Sequence, residues 1–222
     1  MPIDPNSPIE VTALAWVPPL ARGQVRDLRV RWALEEAGLG YKTRLFDKRA
    51  QPDCDTAQPW AQVPVYREGD VTMFECGAIA LHIAEKSEAL LPREPAARAN
   101  AITWLFAALN SIDPMVQMLT VCRFFGDEKG WGPGCRETVV PLLERRLDLL
   151  SERLGDKDWL DGRFTVGDLM MIATLRTPRK GSLAMPDNLA AYIERGEARP
   201  AFQAAMAAHL ADFIPDEEGV PA

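Results

Sequence analysis

The periodicity of the apolar residues changes near residue 92, and this change limits what the chain can fold into. Before it, short apolar runs predict strands that alternate with helices; after it, Ile102, Leu105 and Leu109 keep helical spacing. A chain of 222 residues is long enough for two domains that each bury a core. The sequence therefore predicts an α/β domain over residues 1–92 and an all-helical (all-α) domain over residues 96–222.

The first part of the chain has the order β-α-β, followed by β-β-α. A helix is predicted from about Gln24 to Gly38, and the turn signal Gly69-Asp70 joins two strands into an antiparallel hairpin. Such an order suits a small mixed sheet covered by helices. The proline-rich residues 1–10 are expected to form an extended, flexible tail.

One helix of the second part has a strong start signal, in the segment RFTVGDLMMIATL. Thr165 is a good N-cap residue, and Asp168 can reach back to it as in a capping box. Pro114 is expected to end or kink an earlier helix of this part. These features concern folding and not chemistry.

Composition argues against several classes of partner. The net charge of −7 leaves no broad basic face for nucleic acid. His82 and His209 stand far apart with no accompanying cluster of ligands, so no metal site is predicted. No window approaches the about 18 consecutive apolar residues of a membrane span, and the N-terminus lacks the pattern of a secretory signal. A cytoplasmic protein with no membrane partner is expected.

The cysteines are widely spaced, and none forms a C-x-x-C pair. They are Cys54, Cys76, Cys122 and Cys135. Neither a disulfide framework nor a thioredoxin-type redox motif is indicated, so any cysteine chemistry is expected to use single thiols. Arg22, Arg26 and Arg29 fall at helical spacing, but Glu35 and Glu36 follow closely, which favours an ordinary solvated or ion-paired face.

The stretch MFECGAIALHIAE places an acid, a cysteine and a glycine where a predicted strand becomes a helix. The N-terminus of a helix presents N–H groups and a partial positive charge, which favour a carboxylate or phosphate. Glu75 beside it could hold an ammonium group, so Glu75 and Cys76 together could accept both charged groups of an α-amino acid. The alternative is that Glu75 complements the helix dipole and Cys76 is a small packing residue.

Five segments, taken in order, resemble the glutathione transferase family over about positions 10–213. They are RVRWALEEAGLGY, QPWAQVP, FECGAIALHIAE, FTVGD and RPAFQAAMAAHLADF. They are similar to the family patterns W-A-L-E-E-x-G, N-P-x-G-x-V-P, E-S-x-A-I-x-x-Y-L-A-E and F-T-x-A-D, and to the family's terminal helix. The resemblance implies a thioredoxin-like N-terminal domain that binds glutathione as co-substrate, an all-helical C-terminal domain and a homodimer.

The resemblance also implies roles for particular residues. Glu75 and Cys76 would hold the γ-glutamyl amine and carboxylate, and Val63, before a Pro64 expected to be cis, would pair its backbone with the cysteinyl part of glutathione. Gln62 is a candidate for binding the glycyl carboxylate. Electrostatic support is expected from Lys48 or Arg49 in the preceding loop.

The sequence departs from the family pattern in the first loop, WVPPLARGQVRD. This loop should contain the tyrosine, serine or cysteine that stabilises the glutathione thiolate, and it contains none of them. Arg22, the amide of Gln24 and free N–H groups at the start of the helix are the candidates for this catalytic role. The alternative is that Arg22 and Gln24 are ordinary structural residues of the surface. Cys76 stands where the family has serine, which replaces a good hydroxyl donor with a thiol.

A second substrate is expected to bind between the domains, as ligands commonly do. The candidate apolar walls are Trp16 and Leu20 from the first loop and Trp104 and Met115 from the helical domain, although a residue of each kind is more often part of the core than of a pocket. These side chains favour a small apolar electrophile over a polyanion.

The leading functional hypothesis is a glutathione S-transferase that conjugates or reduces apolar electrophiles or peroxides with the glutathione thiolate. The alternative is a non-catalytic module of the same fold used for binding or protein interaction. A disulfide or dehydroascorbate reductase would normally use a cysteine in the first loop, where this chain has none.

Overall fold

The computed structural model describes residues 3–179 and 183–214. They belong to two compact units: Met1–Leu90 together with Arg199–Ala222, and Leu91–Ala198. The first unit thus contains both an N-terminal segment and the last helix of the described residues. The sequence had placed that last helix in the helical domain.

A four-stranded mixed sheet forms the centre of the first unit. Its strands are β1 (Ile9–Leu14), β2 (Lys42–Phe46), β3 (Val65–Glu68) and β4 (Val71–Phe74). The strand order is β2-β1-β3-β4; β1 is parallel to β2, whereas β3 is antiparallel to both β1 and β4. The predicted mixed sheet and antiparallel hairpin are both confirmed.

The helices of the first unit are α1 (Asp27–Ala37), α2 (Cys76–Glu85) and α8 (Pro200–Ala211). Helix α1 begins later than predicted, because Pro19–Ala21 forms a separate 3₁₀ turn and the Gln24 N–H donates to the carbonyl of Ala21. It ends at Gly38, which has φ of 67° and so adopts the left-handed conformation that glycine tolerates. Helix α8 packs against α1, with the rings of Trp32 and Phe202 4.9 Å apart.

The N-terminal segment is more ordered than the sequence suggests. The Asp4 N–H donates to the carbonyl of Tyr41 at 2.8 Å, and the Ser7 hydroxyl donates to the carbonyl of Gly40 at 2.6 Å. Ile9 already belongs to β1. The expectation of a flexible tail over residues 1–10 is therefore wrong for residues 3–10, because backbone groups near the start of β2 hold this segment; residues 1 and 2 lie outside the described residues.

The second unit is helical. Its helices are α3 (Pro95–Ala107), α4 (Asp113–Val121), α5 (Gly132–Leu154), α6 (Val166–Arg179) and α7 (Asp187–Glu197). Helix α6 is central: it packs against α3, and Leu169 and Met170 are fully buried. One π-helical turn, Ala108–Ile112, separates α3 from α4 just before Pro114, where the sequence predicts a break or kink.

The capping box at the start of α6 is confirmed. The Thr165 N–H donates to Oδ2 of Asp168 at 2.9 Å, and the Gly167 N–H donates to Oγ1 of Thr165 at 3.2 Å. The other carboxylate oxygen of Asp168 accepts from the Leu160 N–H and from the Tyr192 hydroxyl, both at 2.9 Å. Burial raises the pKa of Asp168, and these hydrogen bonds oppose the rise. One carboxylate thus ties α6 to the preceding loop and to α7.

A continuous helical stretch, Pro95–Gly126, runs through α3 and α4. By length and composition alone it could cross a membrane, but the core helix of a soluble protein passes the same test. Ala101, Leu105 and Ala108 on this stretch are fully buried. Its apolar character is thus used in part to pack the second unit.

Two of the cysteines are bonded to each other in the second unit. Cys122 and Cys135 form a disulfide with 6.0 Å between their Cα atoms, whereas Cys54 and Cys76 are free. The expectation that cysteine chemistry would use only single thiols is wrong for this pair. Thirteen positions separate the two cysteines in sequence, and a turn between α4 and α5 brings them together.

Candidate functional site

One edge of the sheet in the first unit brings the predicted binding residues together. Strands β1 and β2 end at this edge, and β3 begins there because it runs antiparallel to β1. The pairing of Val65 with Phe74 places the residues before β3 beside those after β4. Val63-Pro64 and Glu75-Cys76 are therefore neighbours across the hairpin.

The Val63–Pro64 peptide bond is cis, as predicted. Both residues are buried, and the next N–H, that of Val65, donates to Oγ1 of Thr12 at 2.7 Å. The backbone before β3 is thus held against β1 at a defined position. Gln62, the preceding residue, is exposed.

Glu75 lies at the junction of β4 and α2 in an unusual backbone conformation. Its φ of 70° and ψ of 112° put a non-glycine residue at positive φ. Such conformations cost free energy and are concentrated at functional sites. The side chain is exposed at the sheet edge, where it can reach a ligand.

Cys76 is the first residue of α2, and its side chain is buried beside two arginines. Its Sγ lies 3.8 Å from Nη1 of Arg26 and 3.9 Å from Nη1 of Arg29. Arg29 is only 6% exposed, so of the two predicted alternatives, a solvated or an ion-paired face, the solvated one does not apply to this residue. The N-terminus of α2 and two guanidinium groups thus lie together beside Cys76.

Sequence reasoning did not identify Arg26 and Arg29 as site residues. Their spacing of three positions on a helix that follows β1 was the available signal, because it places both side chains near one end of α1. The nearby acidic residues Glu35 and Glu36 suggested instead that ion pairs neutralise the charges of these arginines. In the structure Glu36 accepts from Arg199, the N-cap residue of α8, with Nη2 to Oε2 at 2.8 Å.

Arg22 and Gln24 belong to the first loop, which follows β1 in the chain. The guanidinium of Arg22 lies over the ring of Phe213, 5.6 Å from its centroid. The expectation of free N–H groups here is wrong for Gly23 and Gln24, since the Gln24 N–H donates to Ala21 at 3.0 Å. The Gly23 N–H donates to Nε2 of His209 at 3.2 Å.

His209 belongs to a buried network that the sequence did not predict. Its Nδ1 lies 3.0 Å from Oδ2 of Asp27, which also accepts from Nε of Arg31 at 2.8 Å. Nη2 of Arg31 donates to Asp212 at 2.5 Å. Burial alone would lower the pKa of Arg31, but the charges of Asp27 and Asp212 raise it above its ordinary value. These contacts join α1 to α8 and to the first loop.

The basic residues after β2 lie at the same edge of the sheet. Lys48 is exposed in the turn that follows β2. Arg49 makes an ion pair with Asp47 at 2.7 Å and lies 4.6 Å from the centroid of the Trp16 ring. Arg49 thus supports the position of Trp16, and both Lys48 and Arg49 are exposed.

The four residues predicted to line the second-substrate pocket are divided between the units. Trp16 and Leu20 are in the first unit, where Trp16 is partly buried and Leu20 is 57% exposed. Trp104 on α3 and Met115 on α4 are in the second unit and are partly buried. The Cβ of Trp104 packs closely on Gly167 of α6.

In residues 3–179 and 183–214 no group of three or more potential metal ligands occurs.

A mixed four-stranded sheet with a cis-proline before β3, flanked by α1 and α2, defines a thioredoxin-like domain, here combined with a helical unit. The family model for the N-terminal domain of glutathione S-transferases matches residues 20–85 of the sequence. Glutathione S-transferase 3 from Zea mays is 31% identical over 197 residues, which cover 82% of this chain and 88% of that protein. The chain belongs to the glutathione S-transferase family.

The chain is also similar to a second curated protein and to a solved structure. The disulfide-bond oxidoreductase YfcG from Escherichia coli K12 is 27% identical over 201 residues, covering 81% of this chain and 89% of that protein. A crystal structure of a glutathione transferase family member from Pseudomonas fluorescens, with two glutathione molecules bound, is 25% identical with a TM-score of 0.77. That comparison covers 89% of this chain and 92% of the other.

Proposed function

We propose that this chain is an enzyme that binds glutathione at the sheet edge, lowers the pKa of its thiol and directs the thiolate at an apolar electrophile or a peroxide. The observation that supports this most directly is the position of Pro64 beside the start of α2, where Glu75 is exposed and two guanidinium groups contact Cys76. The solved relative that holds glutathione supports the same co-substrate.

The γ-glutamyl end of glutathione carries an ammonium group and a carboxylate. The Glu75 carboxylate would bind the ammonium group, and the N–H groups at the start of α2 would bind the carboxylate. Arg26, which is partly exposed, would add positive charge on the carboxylate side, with the buried Arg29 behind Cys76. The backbone of Val63 would pair with the cysteinyl part, and Gln62 and Lys48 would bind the glycyl carboxylate.

The thiol of glutathione has a pKa of about 8.5 in water and must ionise to react near neutrality. Arg22 and the side-chain amide of Gln24 are the proposed groups that stabilise its thiolate. Trp16 and Leu20 would provide the apolar wall for the second substrate, and Trp104 and Met115 stay sequence-based candidates for the same role. Attack by the thiolate on an electrophile forms a C–S bond and displaces a leaving group. Attack on a peroxide forms an S–O bond, breaks the O–O bond and releases an alcohol or water; a second glutathione then reacts with the sulfenic acid to give glutathione disulfide and water.

A cytoplasmic homodimer is part of the proposal. The first unit exposes three large apolar side chains on the loop before β3 and on β4: Trp60 at 64%, and Val71 and Phe74 at 38% each. Exposed apolar groups of this size commonly mark protein–protein contacts. Burial against a second copy would remove them from water.

Reduction of disulfides is a second candidate function, favoured by the relative named as a disulfide-bond oxidoreductase. The glutathione thiolate would attack a substrate disulfide, form a mixed disulfide and release a thiol; a second glutathione would then complete the reduction. This route needs no protein cysteine in the first loop. A non-catalytic binding module is the remaining alternative.

A calorimetric titration with glutathione, combined with thiolate absorbance from acid to alkaline pH, tests the proposal. Binding with a thiol pKa lowered below about 7.5 supports thiolate chemistry. An electrophile, a peroxide and a small disulfide are then offered as second substrates. Binding without ionisation or turnover would identify a non-catalytic module. An absence of binding would exclude conjugation, peroxide reduction and disulfide reduction by glutathione.

A further inference from the structure

His209 on α8 reaches back to the first loop of the chain. The Gly23 N–H donates to its Nε2 at 3.2 Å, so the ring proton must be on Nδ1, which faces Oδ2 of Asp27 at 3.0 Å. The side chain of His209 is only 2% exposed. A neutral imidazole thus accepts on one side and donates on the other, in a buried position.

The partners of His209 hold it in this orientation. Asp27, the first residue of α1, is fully buried, and its Oδ2 also accepts from Arg31. The ring of Phe213 meets the imidazole edge to face, with centroids 4.9 Å apart. Buried hydrogen bonds of this kind define a single arrangement, because the loss of one partner leaves the other without its hydrogen bond.

The loop that His209 holds is the one that presents Arg22 and Gln24. Gly23 lies between these two residues, and its φ of 77° makes it a point at which the direction of the chain changes. The C-terminal segment also contacts the loop and the residue just before it: Phe213 lies under the Arg22 guanidinium, and the Ile214 N–H donates to the carbonyl of Ala15 at 2.9 Å.

We infer that His209, oriented by Asp27, is a positioning residue that holds the Gly23 backbone so that Arg22 and Gln24 face the glutathione thiol. This inference rests on the proposed function. Stabilisation of an anion by fixed donors depends on their position, and a shift of about 1 Å can cost a large part of the effect. The last helix thereby acts on the thiol through the first loop, without touching the ligand.

The test compares His209→Leu and His209→Gln with the wild-type protein. Leucine fills much of the space but cannot accept from Gly23, whereas glutamine offers both an acceptor and a donor. We expect the pKa of bound glutathione to rise by about one unit in H209L, which is about tenfold less thiolate near neutrality, and to recover at least partly in H209Q. We also expect kcat to fall more than KM rises in H209L.

Two control variants separate positioning from general destabilisation. Phe202→Leu alters another residue of α8, whose ring is buried against Trp32 of α1. Leu210→Ala alters the residue next to His209, which is 46% exposed. Neither is expected to change the thiol pKa. If F202L, at equal loss of stability, raised the thiol pKa as much as H209L, the effect would be structural and the inference would be overturned.

Hydrogen exchange of the Gly23 amide provides a measurement that needs no glutathione. In H209L this amide is expected to exchange at least about tenfold faster than in the wild-type protein, since its acceptor is lost. Unchanged exchange, or an unchanged thiol pKa in H209L, would overturn the inference alone. A wild-type protein that leaves the glutathione thiol neutral would overturn the proposed function and this role of His209 together, even if exchange at Gly23 changed.

Discussion

The guanidinium of Arg29 lies behind the thiol of Cys76, with 3.9 Å between Nη1 and Sγ, although 47 positions separate the two residues in sequence. At the start of α2, the thiol of Cys76, a weak hydrogen-bond donor, therefore lies against the buried guanidinium of Arg29. A serine hydroxyl at this position would donate a stronger hydrogen bond to a carboxylate than the thiol does.

Cys76→Ser is expected to tighten glutathione binding by about three- to tenfold, the effect of one better hydrogen bond. The dissociation constant is measured by calorimetry. The matched control is Cys54→Ser, which changes the other free cysteine. Equal affinities in the C76S and wild-type proteins would mean that this side chain does not face the ligand.

Glu75→Ala is expected to weaken glutathione binding by roughly 2–3 kcal/mol, because a charge-assisted contact with the γ-glutamyl ammonium group is lost. Calorimetry measures the change. Asp70→Ala removes an acid at the other end of the same hairpin and is expected to leave affinity unchanged. If both variants bound like the wild-type protein, Glu75 would have only a structural role.

The ion pair between Arg67 and Asp55 predicts a pH-dependent stability. Nη2 of Arg67 lies 2.7 Å from Oδ1 of Asp55, and this hydrogen bond lowers the pKa of the carboxyl group. A lowered pKa contributes stability above the unfolded value of about 3.9, and this contribution is lost as the pH falls through the folded pKa.

Arg67→Met is therefore expected to lower the free energy of unfolding by about 1 kcal/mol near pH 7, a modest effect because Arg67 is partly exposed. The difference in the free energy of unfolding between R67M and the wild-type protein should shrink as the pH falls below the pKa of Asp55 in the folded protein. Urea unfolding at several pH values measures it. Arg44→Met, at 3.7 Å from the same carboxylate and mostly exposed, is the weaker control. A difference that did not depend on pH would contradict the prediction.

Asp168→Ala is expected to reduce the free energy of unfolding by about 3 kcal/mol. It removes the acceptor for the N–H groups of Leu160 and Thr165 and for the Tyr192 hydroxyl, all of which are buried. Chemical denaturation measures the loss. Asp187→Ala, at the exposed start of α7, should cost much less. Similar losses in the two variants would argue against the capping network.

Loss of the Cys122–Cys135 disulfide is expected to cost about 2–3 kcal/mol, since the bond closes a short loop between α4 and α5. Urea unfolding is measured with and without a thiol reductant. The wild-type protein should lose stability on reduction, whereas Cys135→Ser should start lower and not respond. Equal stability of the wild-type protein in both conditions would show that the bond contributes nothing.

The local elements of the site were predictable because short-range patterns specify them. The turn at Gly69-Asp70 indicated the hairpin, and the segments around Pro64 and Glu75 carried the family resemblance. The capping box at Thr165 and Asp168 was likewise readable, since its two residues are only three positions apart. The roles of Lys48 and Gln62 in binding glutathione stay predictions.

Long-range contacts were not predictable from one sequence. The pairing of Cys122 with Cys135 and the burial of Arg29 against Cys76 depend on how helices fold back on each other. His209 gave no signal at all, because a lone histidine on a helix usually has no catalytic role. Its contact with Gly23 joins positions 186 apart.

Hydrophobic periodicity and turn chemistry act over a few residues, so they were enough to predict the alternation of strands and helices, the change to helices near residue 92 and the hairpin that leads into α2. The packing of α8 on α1, the contact between Asp27 and His209 and the hydrogen bond that holds the first loop at Gly23 became known from the three-dimensional structure alone. Those contacts depend on burial and hydrogen bonding between distant segments, and each becomes favourable only once the sheet has fixed where α1 lies.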